Sequence, residues 1–235
     1  MASIFWLSLA VIAYGYVGYP LWMAVAARCW PKAVCSNDAH APEIDVLLVV
    51  HDAQADIAMK IDNLLALDYP PTRLTVNVVC DGCTDATESI ARQYLSPQVR
   101  VLAHAKRRGK SACIGSTIPQ LRAGIVMFTD VRQRIDAGAA RALAAVFADP
   151  HVGAACGELM LESDSGYGRG INDYWRFEKM LRRWESACGS LVGVTGALYA
   201  ARRDAIGTVP GGIILDDMWV PLSIAAASCA SAVTK

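Results

Sequence analysis

Residues 45–87 read DVLLVVHDAQADIAMKIDNLLALDYPPTRLTVNVVCDGCTDAT, and this stretch decides the fold. Two continuous apolar runs of strand length, residues 45–50 and 74–80, enclose a segment in which apolar residues recur at helical spacing from Ile57 to Leu65. Continuous apolar runs, unlike alternating ones, indicate strands buried on both faces, as in a parallel sheet. The stretch therefore predicts a strand, a crossover helix and a second strand parallel to the first.

The same alternation of short apolar runs and helix-like segments continues along most of the chain. It predicts an α/β domain with a mostly parallel sheet flanked by helices. The further predicted elements are helix 84–94, strand 99–103, helix 111–122, strand 125–129, helix 137–148, extended segment 152–161 and helix 172–188.

The N-terminal segment is the second organising feature. Residues 1–27 contain no charged side chain, and residues 4–27 exceed the roughly 20 apolar residues that cross a bilayer. We expect a transmembrane anchor over 1–30, a linker over 31–42 and an α/β domain over 43–235. Arg28 and Lys32 follow the apolar run, which predicts a single-pass protein of the plasma (inner) membrane with a cytoplasmic domain. A cleaved secretory signal ending near Ala26 is the alternative, although a basic segment before the apolar run is absent from the sequence.

Composition and charge exclude some functions. Lys and Arg together number 22, as do Asp and Glu, so the chain lacks the basic excess on which nucleic-acid binding depends. A hydrophobic content of 54% excludes a disordered chain. The eight cysteines lack the spacing of a small disulfide scaffold, which favours reduced thiols. Cys80 and Cys83 match the CxxC spacing of redox and metal sites, with a plain strand end and turn as the alternative.

Polar side chains follow three of the predicted strands directly. Asp81 and Asp130 each come after an apolar run, and His51 with Asp52 follow the first strand. In open α/β sheets ligands bind at the carboxyl ends of the strands, so these side chains predict a binding site there. Each aspartate alone also fits a turn or helix cap.

The motifs and their order resemble the family-2 glycosyltransferases, the group of GT-A (Rossmann-like) enzymes that includes many membrane-bound polysaccharide synthases. The resemblance runs from Glu43 to about Leu222. It implies an inverting enzyme that moves a sugar from a nucleotide-sugar, most simply a UDP-sugar, to a hydroxyl of a growing polysaccharide or a glycolipid. The motifs are residues 43–87, CDGCTD (80–85), RRGK (107–110), VMFTDVRQR (126–134), YWRFEKMLRRWES (174–186), VTGALYAARR (194–203) and ILDDM (214–218).

On the donor side, the resemblance assigns Asp81 to the uracil or ribose, with His51 in the same site. It places Lys110 near the diphosphate, where a cation suits the charge. It makes Asp130 the first Asp of a DxD motif, whose family role is to hold Mg²⁺ or Mn²⁺. Arg132 stands where the second acid is usual and cannot ligate a metal, so either Asp130 works with water and phosphates or Arg132 supplies cationic charge.

On the acceptor side, the resemblance makes Asp217 the general base that deprotonates the acceptor hydroxyl, with Asp216 as its neighbour. It places Thr195, Gly196 and Trp175 beside the saccharide or lipid-linked acceptor. A helix cap is the alternative for the two aspartates, and a core position is the alternative for the tryptophan.

Departures from the family pattern define the alternative functions. Ala53 replaces an acidic residue of the first-strand motif, and no QxxRW motif or hydrophobic C-terminal helices follow Asp217 before Lys235. We therefore expect an incomplete C-terminal part, which a partner subunit would complete. The alternatives are a truncated, non-catalytic nucleotide-binding relative and a nucleotidyltransferase, although the latter would normally carry a Gly-rich loop after the first strand.

Overall fold

The computed structural model describes residues 2–158, 169–189, 194–227 and 230–233. In these residues one seven-stranded sheet has the order β3-β2-β1-β4-β6-β5-β7, with β6 antiparallel to both its neighbours and every other pairing parallel. The predicted α/β class with a mostly parallel sheet is thus confirmed. The strands are β1 (Ile44–Val50), β2 (Leu74–Asp81), β3 (Val99–His104), β4 (Ile125–Thr129), β5 (Val152–Cys156), β6 (Leu198–Arg202) and β7 (Ala230–Val233).

Helices precede and alternate with these strands along the described parts of the chain. The helix α2 packs Ile57, Ile61 and Leu64 into the core, where each is fully buried, as its apolar periodicity predicts. The helices are α1 (Ala2–Cys29), α2 (Ile57–Leu65), α3 (Thr87–Arg92), α4 (Lys110–Thr117), α5 (Ala139–Val146), α6 (Arg169–Ala187) and α7 (Asp216–Ala226).

The register of the central strands brings the predicted polar residues to one edge. Val50 of β1 pairs with Cys80 of β2, and β4 runs parallel to β1. The residues that follow these strands therefore leave the sheet on the same side, as the sequence predicts.

Several elements differ in length from the prediction, and three of them differ most clearly. The helix α3 starts at Thr87, three residues late, because the carboxylates of Asp52 and Asp85 accept the N–H groups of Thr84 and Thr87 and hold a turn there. The helix α4 ends at Thr117 and passes into a 3-10 turn over Ile118–Gln120, where Pro119 has no backbone N–H to continue the α-helical hydrogen bonds. The extended segment predicted over 152–161 is a strand only over Val152–Cys156, and residues 159–161 lie outside the described part.

The chain divides into two compact units, which are described separately. One contains Met1–Ala33 with Leu161–Leu191, and the other Val34–Met160 with Val192–Lys235. In the first unit, α1 is long and apolar enough to cross a membrane, with a π-helical turn at its centre. Within the same unit, the Tyr19 hydroxyl donates a hydrogen bond to Glu185 of α6. The predicted boundaries of anchor, linker and α/β domain stay predictions.

Candidate functional site

Asp81 ends β2 and holds the chain segment that leads into α4. Its side chain is 2% exposed, and its two carboxylate oxygens accept the backbone N–H groups of Arg108 at 2.7 Å and Gly109 at 2.8 Å. The next residue must be glycine, because a Cβ on Gly82 would lie 2.3 Å from the backbone nitrogen of Arg107. The sequence reading assigned Asp81 to the nucleotide, and the structure adds a positioning role for it.

The ionised form of Asp81 stabilises this turn. Burial acts to raise the pKa of Asp81, but the N–H groups of Arg108 and Gly109 and the thiol of Cys113 outweigh it and lower the pKa below 3.8. A carboxyl with a lowered pKa adds stability above the pKa of the unfolded state. That stability disappears as the pH falls through the folded-state pKa.

We expect Asp81→Asn to lower the free energy of unfolding by about 2 kcal/mol at neutral pH, as is typical of lost hydrogen bonds to a charged group. The Asn amide presents an N–H₂ group to one of the two backbone donors. Denaturant unfolding at pH 7 and at pH 3 measures the effect, which should shrink in acid. An equal loss at both values would contradict this role of the charge.

Lys110 lies in the first turn of α4 and joins two carboxylates. Its Nζ atom is 2.9 Å from Oδ1 of Asp130, which follows β4, and 3.4 Å from Oδ2 of Asp216, which begins α7. The Lys110 and Asp130 side chains are 37% and 38% exposed, whereas that of Asp216 is only 5% exposed. A cation is therefore held between one accessible and one buried carboxylate.

The pKa values in this cluster reflect burial opposed by charge. Burial acts to lower the pKa of Lys110, but the Asp216 and Asp130 carboxylates outweigh it and raise the pKa. For Asp216, burial raises the pKa, Lys110 lowers it, and neighbouring Asp217 raises it again, with a net increase. The charge of Asp216 thus depends on Lys110.

Asp217 directly follows Asp216 in the chain and lies beside the segment that precedes β6. A Cβ on Gly196 would come within 3.0 Å of Oδ2 of Asp217, so a side chain at position 196 would crowd this carboxylate. Thr195 is half-buried and borders a cavity of about 450 Å³. The structure thus places Gly196 against Asp217, which follows Asp216 directly in the chain.

Two buried groups near the site were missed by the sequence reading. Tyr199 of β6 is fully buried against Phe128 of β4, and its hydroxyl has no hydrogen-bond partner among the described residues. Lys60 of α2 is 2% exposed, and its Nζ atom donates hydrogen bonds to Oγ1 of Thr129 at 2.8 Å and to the carbonyl of Gln133 at 2.7 Å. The sequence does indicate that Lys60 is buried, because Lys60 lies on the apolar face of its helix.

We expect the buried Lys60 to make stability depend on pH. Burial lowers its pKa from 10.5 to about 8, although the Asp130 charge acts in the opposite direction. Between these values the unfolded chain binds the proton more tightly, so the free energy of unfolding should rise with pH, by up to about 3 kcal/mol. Denaturant unfolding across this range should show the rise in the wild type and lose it in Lys60→Met. The exposed control Lys106→Met should keep the rise.

Arg132, His51 and Trp175 are the remaining predicted site residues. Arg132 is exposed and borders a cavity of about 300 Å³ together with Met59 and Lys60 of α2. His51 follows β1, and its Nδ1 atom is 2.8 Å from the carbonyl of Asp81. Trp175 belongs to α6, and its side chain lies outside the described part of the structure.

The sheet order, the crossover helices and the strand-end carboxylates belong to an open α/β fold, a class in which ligands bind at the carboxyl edge of the sheet. The family model described as Glycosyl transferase family 2 matches residues 45–209. The chain belongs to that family, and the resemblance drawn from the motifs is confirmed.

Individual relatives are distant in sequence. The chain is 28% identical to the β-monoglucosyldiacylglycerol synthase of Synechocystis sp. over 48% of its own length and 24% of that protein. It is 26% identical to an uncharacterized protein of Mycobacterium tuberculosis over 75% of its own length and 54% of that protein. The chain thus spans only part of the curated relatives that it matches.

Solved structures have the same fold. The mannosyltransferase PcManGT from Pyrobaculum calidifontis, in complex with GDP-Man and Mn²⁺, superposes with a TM-score of 0.79 at 25% identity, covering 96% of this chain and 64% of that one. TarS of S. aureus in complex with UDP-GlcNAc superposes with a TM-score of 0.65 at 16% identity, over 81% and 55% of the two chains. At 16% identity, the similarity to TarS shows only that the two chains share a fold.

Proposed function

We propose that the chain is an inverting glycosyltransferase that moves a sugar from a UDP-sugar to a hydroxyl of a growing polysaccharide or a glycolipid. The observation that carries the proposal is the Lys110 cation held between Asp130 and Asp216 at the carboxyl edge of the sheet, with Asp217 beside it. Ligands of open α/β sheets bind at that edge. The complex of PcManGT with GDP-Man supports a nucleotide-sugar donor.

Asp217 supplies the base in this reaction. Its carboxylate takes the proton of the acceptor hydroxyl as the oxygen attacks the anomeric carbon from the face opposite the nucleotide, which inverts that centre. The bond between the anomeric carbon and the diphosphate breaks, and the electron pair leaves with the diphosphate. Gly196 lies against this carboxylate and has no side chain to crowd it.

Lys110 stabilises the negative charge that grows on the leaving diphosphate. A charge-assisted N–H···O bond from an ammonium group to a phosphate oxygen suits this step. Asp81 contributes indirectly, since its carboxylate fixes the backbone of residues 108–109 immediately before Lys110. Asp216 keeps the lysine directed into the site.

The carboxylate of Asp130 is also suited to hold a divalent cation. One carboxylate oxygen accepts the Lys110 hydrogen bond, while the other has no partner among the described residues and the side chain is 38% exposed. Mg²⁺ and Mn²⁺ bind through one or two carboxylates together with substrate phosphates and water. Such a cation would neutralise the diphosphate, and Asp130 would hold it.

The proposed location follows from α1. A helix of 28 residues with this hydropathy is long enough to anchor the protein in the plasma (inner) membrane, with the basic residues after it and the catalytic domain on the cytoplasmic side. A membrane location suits a lipid-linked or membrane-exported acceptor. The Synechocystis relative is named as a synthase of a glucosylated diacylglycerol, which supports a lipid acceptor.

Release of nucleoside diphosphate from the detergent-solubilised protein tests the proposal. A panel of UDP-sugars and GDP-mannose should give one preferred donor, whose turnover rises when Mg²⁺ or Mn²⁺ is added. The alternative, a non-catalytic relative, predicts that nucleotide binds and is never released as product. The absence of both binding and release for every donor would reject both.

A further inference from the structure

Three potential metal ligands meet between the ends of β1 and β2, and the reaction steps proposed above use none of them. They are the imidazole of His51, the carboxylate of Asp52 and the thiol of Cys83, and their ligand atoms all lie within 4.8 Å of one another. The first two follow β1, and Cys83 belongs to the turn after β2. One thiol, one imidazole and one carboxylate form a donor set that Zn²⁺ favours, whereas Mg²⁺ prefers oxygen ligands alone.

From this geometry we infer that the chain binds Zn²⁺, or a cation of similar preference, through His51, Asp52 and Cys83. A tetrahedral ion with bonds of about 2.0–2.1 Å to nitrogen and oxygen separates those two atoms by roughly 3.3 Å. The distance between Nε2 of His51 and Oδ2 of Asp52 is 3.5 Å. A small movement of the thiol completes three positions, and water takes the fourth.

A hydrogen bond to the backbone of Asp81 orients the His51 ring for metal binding. Its Nδ1 atom lies 2.8 Å from the carbonyl oxygen of Asp81, so Nδ1 carries the proton and donates it to that oxygen. In the neutral ring, Nε2 then presents its lone pair towards Asp52. Metal-bound histidines commonly have this arrangement, in which the second nitrogen donates to a backbone carbonyl.

The other two ligands are also held in place. The Asp52 carboxylate accepts hydrogen bonds from the backbone N–H and the hydroxyl of Thr84, at 2.7 and 3.0 Å. The Cys83 thiol points at the carbonyl of Val50, 3.7 Å away, and loses its proton to solvent when it binds metal. The backbone of Asp52 has a φ of +45°, a conformation that costs energy for a non-glycine residue and that directs its side chain towards Thr84.

The Nε2 atom of His51 and the Oδ2 atom of Asp52, 3.5 Å apart, also fit a simple ion pair. The two cases differ at Cys83. A metal ion binds its thiolate, whereas an ion pair leaves the thiol on the carbonyl of Val50.

Cobalt binding to the full chain, purified in detergent and stripped with a chelator, tests the inference. We expect one equivalent of Co²⁺ to give the visible bands of a tetrahedral site with a thiolate-to-metal charge-transfer band, and Zn²⁺ to displace it. Cys83→Ser should abolish the charge-transfer band. His51→Gln should weaken binding more than about 100-fold, because even outer-shell changes cost about 10- to 100-fold. Cys35→Ser, which removes an exposed thiol, should change nothing.

Two controls distinguish the proposed zinc site from the cation site proposed at Asp130. Asp130→Asn should leave the cobalt spectrum intact, and excess Mg²⁺ should not displace the ion. A charge-transfer band that survives in Cys83→Ser, or an octahedral spectrum with no such band, would overturn the inference. Far-UV circular dichroism of each variant establishes that loss of binding is not loss of fold. Because the readout is a spectrum, failure of this test and failure of the proposed glycosyl transfer are distinguishable.

Discussion

Asp217→Asn is expected to reduce sugar transfer by about 10²–10⁴-fold, the contribution of a general base. The amide keeps the shape of the side chain next to Gly196 but cannot accept the acceptor's proton. Donor binding should persist, because the proposed donor contacts belong to Lys110 and Asp130. Initial rates of nucleotide release with and without acceptor, together with titration of the nucleotide, measure the two effects separately.

A matched control is available for this substitution. Asp204 is an exposed aspartate in a short helical turn after β6, and Asp204→Asn should retain full activity. If Asp217→Asn kept the wild-type rate, Asp217 would not be the base and the assignment would pass to another acidic group. A parallel loss of donor affinity would instead mean that Asp217 binds nucleotide.

Lys110→Met is expected to lower the free energy of unfolding by about 3 kcal/mol at neutral pH, the low end of the cost of an unpaired buried charge. The partner responsible is Asp216, whose side chain is 5% exposed and whose charge is balanced by Lys110. The low end applies because the lysine itself is 37% exposed and water can partly replace it. Nucleotide affinity should fall as well, since the proposed diphosphate contact is lost.

The loss should depend on pH in a defined direction. The pKa of Asp216 is already raised, mainly by burial, and removal of Lys110 raises it further. A carboxyl with a raised folded-state pKa binds its proton more tightly in the native state, so stability falls as the pH rises above its unfolded pKa. The destabilisation by Lys110→Met should therefore shrink towards pH 4.

Two further variants make the test specific. Asp216→Asn combined with Lys110→Met should recover much of the stability, because no unpaired charge remains. Lys106→Met removes an exposed lysine from the same segment and should have little effect. A loss that stayed constant with pH and persisted in the double variant would indicate lost packing instead of an unpaired charge.

The local sequence predicted most of the sheet and the type of site. The strands at Ile44–Val50 and Ile125–Thr129 follow from apolar runs that only a doubly covered sheet can bury, and this signal is local. The aspartates at the ends of β2 and β4 could be assigned to the same edge, because parallel strands end on the same side. The helix boundaries were less accurate, since a side chain distant in sequence, that of Asp52, binds the N–H group of Thr84 in the turn before α3.

The sequence alone thus determined the α/β class, the family and the list of polar residues at the strand ends. Only the tertiary structure decided which of those charges face each other. Lys110 lies 20 residues from Asp130 and pairs also with Asp216, far beyond it in the chain, while Lys60 is buried against Thr129. The spacing of apolar residues can be seen in a short stretch of sequence, because it depends only on the helix or strand to which those residues belong. The pairing of charges depends on the register of distant strands, and so it becomes visible only in the folded chain.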